Sequence, residues 1–356
     1  MEAIRKYLLI LSIVFLNINY MFYHTINNYS YKISFRVFAI ILLLLSILLS
    51  KKLKIPYKLV LVCIYLLIGF IVGNEQLQNI LFIIMMVYSL SLNMDGNNIV
   101  QTFFLVSILT LSLFILLRYL GIIKDATTIY DGRIRNSLGF DNPNSLSIIM
   151  IDFFYFFIEK VRKNRKIACI IVLLMSFYIN TYSDSRTLLV STIICITFAL
   201  LIDSSIFSKI TTKMTQNKLI CFIFLTIFFL SPFLIGIIAS SNYNFDKLLS
   251  FRGSVINNYI GRHNFLNIII GFSNITTIDN SYLILFFSVG ILGYLLIFSI
   301  VKKAITNLNN KEYISLIIMM LSYGTMESVL IRPECLVTIY FWYVIFTESK
   351  FLLNEK

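Results

Sequence analysis

The chain has 356 residues, 58% of them hydrophobic and 13% charged, with a formal net charge of +13. Its mean hydropathy of +0.86 excludes a water-soluble globular domain and fits a polytopic membrane protein. The positive charge then reads as membrane topology and not as affinity for nucleic acid.

Apolar runs of about 17–25 residues, the length that crosses a bilayer, recur along the chain. In order, the expected spans are 7–23, 33–50, 57–73, 77–94, 99–121, 145–158, 167–182, 187–202, 219–239, 280–300, 313–331 and 336–347, about twelve in all. Each is expected to be helical, because an isolated segment in lipid must satisfy its own backbone. The fold class is therefore all-α, a polytopic transmembrane bundle forming one integral membrane domain over 1–356, multi-pass in a cytoplasmic-type membrane. The first run lacks a small-residue cleavage site, so no cleavable leader is expected. Cys63, Cys169, Cys195 and Cys221 sit inside apolar runs and Cys335 stands near a membrane end. None has metal-ligand spacing, and no metal or cofactor is expected.

The strongest basic anchors are KKLKIPYK (51–58) and EKVRKNRK (159–166). Placing both in the cytoplasm brings in the N-terminus, the lysine-bearing loops 203–218 and 302–311, and the C-terminus. Both termini are then cytoplasmic, and loops 122–144 and 240–279 face outside. The inner loops hold mostly lysine, whereas the outer side holds Arg36, Arg133, Arg135, Arg186, Arg252, Arg262 and Arg332. Topology does not distinguish the two cations, so arginines on the disfavoured side need another reason. Guanidinium is a planar fork that grips phosphate through two hydrogen bonds and stays charged when half-buried. Snorkelling to lipid headgroups explains Arg36 and Arg332 equally well.

Four stretches could carry chemistry. DGRIRNSLGFDNPNSL (131–146) sets Arg133 and Arg135 before the turn Asp141–Asn144, with Ser145 or Asn144 able to cap the next helix. Two arginines beside a helix N-terminus suit a phosphate; an ordinary polar loop is the bland reading. Asp152, inside that span, is a candidate by its depth or a partner for Arg118 or Arg186. YSDSRTLL (182–189) sets Arg186 at the mouth of two spans, where an interior-facing side chain is expected. The long outer loop 240–279 is expected to hold an interfacial helix over 252–270, with Arg252, Tyr259, His263, Leu266 and Ile270 on one face. Gly253 and Gly261 weaken that helix. Asp279 and Asn280 open a span, which makes capping their plainest role, and Gly290 and Gly293 allow close packing. Glu327 and Glu334 flank the last outer turn. No Walker loop, HExxH or paired-cysteine motif is present.

Together the run R-x-R-x-S-L-G-F-D-N-P-N (Arg133–Asn144), the S-x-S-R at Ser183–Arg186, G-R-H (261–263) followed by I-I-G-F (269–272), and D-N-S-Y-L (279–283) resemble the Wzy-type polysaccharide polymerases of the O-antigen polymerase and ligase family. The resemblance implies a membrane glycosyltransferase of the C type that uses no nucleotide sugar and no metal. Donor and acceptor would both be glycans on undecaprenyl diphosphate, joined into O-antigen, capsular or exopolysaccharide with inversion at the anomeric carbon. Membrane lipid, a chain-length regulator and a flippase would be its partners, with no nucleic acid.

In that reaction the leaving diphosphate gathers charge as the glycosidic bond breaks, and without a metal arginines must stabilise it. Arg262, Arg252 and Arg186 are the first candidates, with His263 or Asp279 accepting the proton of the attacking hydroxyl. Arg133, Arg135, Asn142, Asn144, Tyr259 and Asn280 are the expected substrate contacts. A ligase of the same family, a flippase or other transporter, and a structural scaffold are the competing readings.

Overall fold

The computed structural model describes residues 2–26, 29–50, 56–71, 73–125, 127–130, 133–248, 252–262, 265–271, 279–308 and 310–351. Its elements in chain order are α1 (Glu2–Ile26), α2 (Tyr29–Leu48), α3 (Tyr57–Ile71), α4 (Glu75–Asn93), α5 (Gly96–Tyr119), β1 (Thr127–Tyr130), β2 (Arg133–Asn136), α6 (Pro143–Lys160), α7 (Arg165–Ser183), α8 (Arg186–Leu201), α9 (Ser205–Gln216), α10 (Lys218–Ser240), α11 (Tyr243–Leu248), α12 (Arg252–Arg262), α13 (Phe265–Ile270), α14 (Ser281–Asn307), α15 (Lys311–Gly324) and α16 (Leu336–Glu348). The hairpin β1–β2 supplies the only strands among the described residues.

Every expected span falls on helix, but the helices differ in reach. Among the described residues six are long and apolar enough to cross a membrane, α1, α4, α5, α7, α10 and α14, and a seventh is reached only if α8 and α9 count as one. The expected total of about twelve is not reached by these helices; α15, for one, stops at Gly324. Large apolar side chains stay exposed on these helices, including Leu61, Leu174, Ile227 and Leu292. Such surface is stable only in lipid, and the chain is a membrane-embedded α-helical protein. The 203–218 stretch, expected as a loop, forms α9, with Phe207, Thr211 and Met214 buried on one face and Lys209 and Lys213 exposed. That face packs on α10, α14 and α15.

The chain divides into two compact units. The first comprises Met1–Lys54, Met85–Ser204 and Pro333–Tyr343. Here α1 and α2 form an antiparallel hairpin: the Ser12 hydroxyl donates to the Ala39 carbonyl at 2.8 Å and that of Ser46 to the Arg5 carbonyl at 3.1 Å. Asn17, buried in α1, accepts from Thr110 of α5 at 2.5 Å and donates to the Glu334 carbonyl at 3.0 Å. Ser176 joins α7 to Thr192 of α8 at 3.1 Å. Asp152 settles differently from either sequence expectation. It is 2% exposed, and its carboxylate accepts from the N–H groups of Leu336 and Val337, both at 2.9 Å, and from the Cys335 thiol at 3.1 Å. It caps the N-terminus of α16, where orphan N–H groups and the helix dipole favour an anion.

The second unit comprises Ile55–Ile84, Ser205–Arg332 and Val344–Lys356. Its α10 carries Pro232, whose missing N–H and bulky ring disturb the ladder. Nearby carbonyls are taken up by side chains: Ser231 donates to Phe228 at 3.4 Å and Tyr294 of α14 to Phe229 at 2.8 Å. The 252–270 stretch is the one expected to form a single interfacial helix. It is described as two helices, α12 and α13, with His263 and Asn264 between them outside the described residues. Gly236 of α10 lies against Ile256, and Ala239 against Gly253, so α12 runs antiparallel along the last turns of α10. Gly253 permits this approach, and the Asp246 carboxylate accepts from its N–H at 2.8 Å.

Farther on, the chain meets the interior of α14. Gly290 has φ 67° and ψ 177°, a conformation that breaks the helix and that essentially only glycine adopts. A methyl group there would overlap the Ile269 carbonyl oxygen, and one on Gly271 would overlap Gly290 and Ser288. The Tyr65 hydroxyl of α3 reaches the Ile270 carbonyl at 2.6 Å and the Val289 carbonyl at 3.1 Å. The end of the segment expected as an outer loop therefore packs nine residues into a membrane-length helix.

Candidate functional site

In the first unit, the stretch after β2 turns sharply at Leu138 (φ 53°) and Gly139 (φ 96°). Leu138 N–H is held by the Asn136 side chain at 2.8 Å. The turn buries Phe140 and delivers Asp141 to His24, near the end of α1. Both Asp141 carboxylate oxygens lie 2.9 Å from His24 Nδ1. The Asp141 N–H also donates to the His24 carbonyl at 2.6 Å. Ser145 donates to Asp141 Oδ1 at 3.2 Å and lies 3.3 Å from the same imidazole nitrogen, while the Tyr20 ring sits 4.4 Å from the imidazole.

The cap of α6 is Asn142, earlier than either expected residue. Its side chain accepts from Asn144 N–H at 2.9 Å, and Pro143 opens the helix with φ already set. Asn144 in turn accepts from the Ser185 hydroxyl at 3.3 Å, and Ser185 meets Ser147 at 3.1 Å. Ser185 caps α8, and Asp184 closes α7 in the left-handed conformation. The two sequence motifs 140–147 and 183–186 are thus joined, with the N-termini of α6 and α8 side by side. Arg186, expected to face the interior, is exposed on the first turn of α8. Arg133 and Arg135 stand opposite Tyr130 and Thr128 in the hairpin, whose β2 packs on α7.

The remaining expected residues belong to the second unit. Arg252 and Arg262 are the first and last residues of α12, Tyr259 lies between them half-buried, and His263 is outside the described residues. Asp279 is half-buried ahead of α14. Asn280 is committed to structure: its oxygen accepts from Tyr282 and Leu283 N–H at 3.0 and 3.1 Å, and its nitrogen donates to the Thr325 carbonyl at 2.7 Å. Ser281 and Tyr282 follow suit, donating to the carbonyls of Glu327 at 2.7 Å and Leu321 at 2.8 Å. The N-S-Y run is a clasp holding the turn after α15. Arg332 binds Ser328 through two nitrogens at 3.0 and 2.8 Å.

Among the described residues no three His, Cys, Asp or Glu side chains gather as metal ligands. His24 is the residue that the sequence reading passed over. Its one signal was an ionisable group at the end of a span, and only the fold reveals its pairing with Asp141. No family model, curated protein or solved structure matches the chain.

Proposed function

We propose that this protein transfers glycan between undecaprenyl-diphosphate carriers, polymerising oligosaccharide repeat units on the outer face of the cytoplasmic membrane. The observation that carries this reading is the junction of the α6 and α8 N-termini through Asn144, Ser147 and Ser185, with Arg186 exposed on it. Two helix N-termini and a guanidinium offer fixed positive potential to a diphosphate whose charge grows as its bond to sugar breaks. The lipid tails need only the apolar helix surfaces.

A second reading, translocation of the lipid-linked glycan, draws on the break of α14 at Gly290. Discontinuous helices that expose carbonyls at depth are a habit of transporters, and the buried Ser288 hydroxyl beside this break has no hydrogen-bond partner among the described residues. Deleting the gene in its host and sizing lipid-linked and surface glycan separates the readings. Single repeat units with no ladder support polymerisation. Units trapped on the cytoplasmic face support translocation, long polymer lacking its final anchor indicates a ligase, and an unchanged ladder removes all three.

A further inference from the structure

We propose that His24, oriented by Asp141, is the group that takes the proton from the attacking acceptor hydroxyl. The inference rests on the glycosyl-transfer reading. Three features of the geometry lead to it. Both carboxylate oxygens of Asp141 address one imidazole nitrogen, Nδ1. A carboxylate accepts hydrogen bonds, so Nδ1 carries the proton in the neutral ring and the lone pair is left on Nε2. Nε2 takes no part in any hydrogen bond of this cluster: Ser145 and Asp141 both lie on the Nδ1 side, the Tyr20 contact is ring against ring, and Asp141 holds the main chain through its own N–H. Among the described residues nothing hydrogen-bonds to Nε2, which leaves that nitrogen for an acceptor hydroxyl. Ser145 sits on the wrong nitrogen to be a nucleophile activated by this ring.

The pair also lies next to the place where charge would develop. Asp141 immediately precedes Asn142, the cap of α6, and Asn144 ties that turn to Ser185 and so to the N-terminus that bears Arg186. Among the described residues, the elements packed on α1 carry Arg36 in α2, Arg118 in α5, bound to Asp125 at 2.7 Å, and Asp152, Glu159 and Lys160 in α6, whose Ser145 touches His24. In the proposed step the acceptor oxygen forms a bond to the anomeric carbon, and the bond from that carbon to the diphosphate oxygen breaks. The diphosphate leaves with the electron pair, and the hydroxyl proton passes to Nε2.

The test uses the purified full-length protein in nanodiscs with lipid-linked repeat units, followed by gel. Wild-type protein that makes no polymer would overturn the glycosyl-transfer reading itself. If the wild type polymerises, His24→Gln should lower the rate by about 100-fold, within the range of general-base contributions, with an unchanged KM for the acceptor. His24→Ala should recover rate when imidazole is added, which a structural brace would not do. Melting temperatures of the variants report folding. A folded His24→Gln variant at wild-type rate, or a folded His24→Ala variant that imidazole leaves inactive, overturns the assignment.

Discussion

Asp152 shows how a single buried carboxyl group can serve structure. Three donors converge on it, two of them from the first turn of α16. Replacing it by alanine strands the Leu336 and Val337 N–H groups in apolar surroundings, at about 1–3 kcal/mol for each unsatisfied group. Asp152→Ala is therefore expected to lower the melting temperature in detergent by several degrees, and Asp152→Asn, which keeps one acceptor oxygen, by less. An unchanged Asp152→Ala melting curve would mean that α16 is capped some other way. The sequence announced this residue as important from its depth in a span. It could not announce the partner, which lies more than 180 positions away and offers main-chain donors that leave no trace in residue identity. His24 was opaque for the same reason, since neither it nor Asp141 is unusual until the turn at Leu138 and Gly139 brings them together.

Among elements, α14 departs most from what its composition suggests. The apolar stretch 280–300 reads as one span, yet Gly290 breaks it and the chain around Gly271 fills the break. Gly290→Ala meets both a forbidden backbone angle and a carbonyl, and loss of the monodisperse peak in size-exclusion chromatography is the expected result. Gly261→Ala, which meets nothing in space, should leave that peak intact and add up to about 1 kcal/mol through helix propensity. Periodicity and hydropathy located nearly every helix here because lipid leaves the backbone few alternatives. They did not reveal the packing of α12 on α10, because an amphipathic stripe looks the same whether it faces a membrane surface or another helix.

For the whole molecule, the sorting of lysine and arginine remains the basis for orientation. That sorting predicts two cytoplasmic termini, so green fluorescent protein fused at either end should fluoresce, and alkaline phosphatase fused after Leu120 should be active. Phosphatase that stays inactive there would sink the outward placement of the hairpin and of the His24–Asp141 pair. Arg186→Ala should abolish polymer while the protein still inserts, and a normal-length ladder from that variant would remove Arg186 from the reaction. Membrane character was legible from composition alone. The division of the candidate residues between two units was not, because each unit is assembled from three separated stretches of chain.

The cap that Asp152 supplies to α16 also orders the biogenesis of the protein. The carboxylate is synthesised and inserted long before its donors leave the ribosome. Until the last helix arrives, the insertion machinery and the lipid must shelter a carboxyl group whose permanent donors do not yet exist. Arrival of α16 is thus the event that completes the first unit, and a nascent chain stalled after Arg332 would display to cellular quality control an uncapped carboxylate that the finished protein hides.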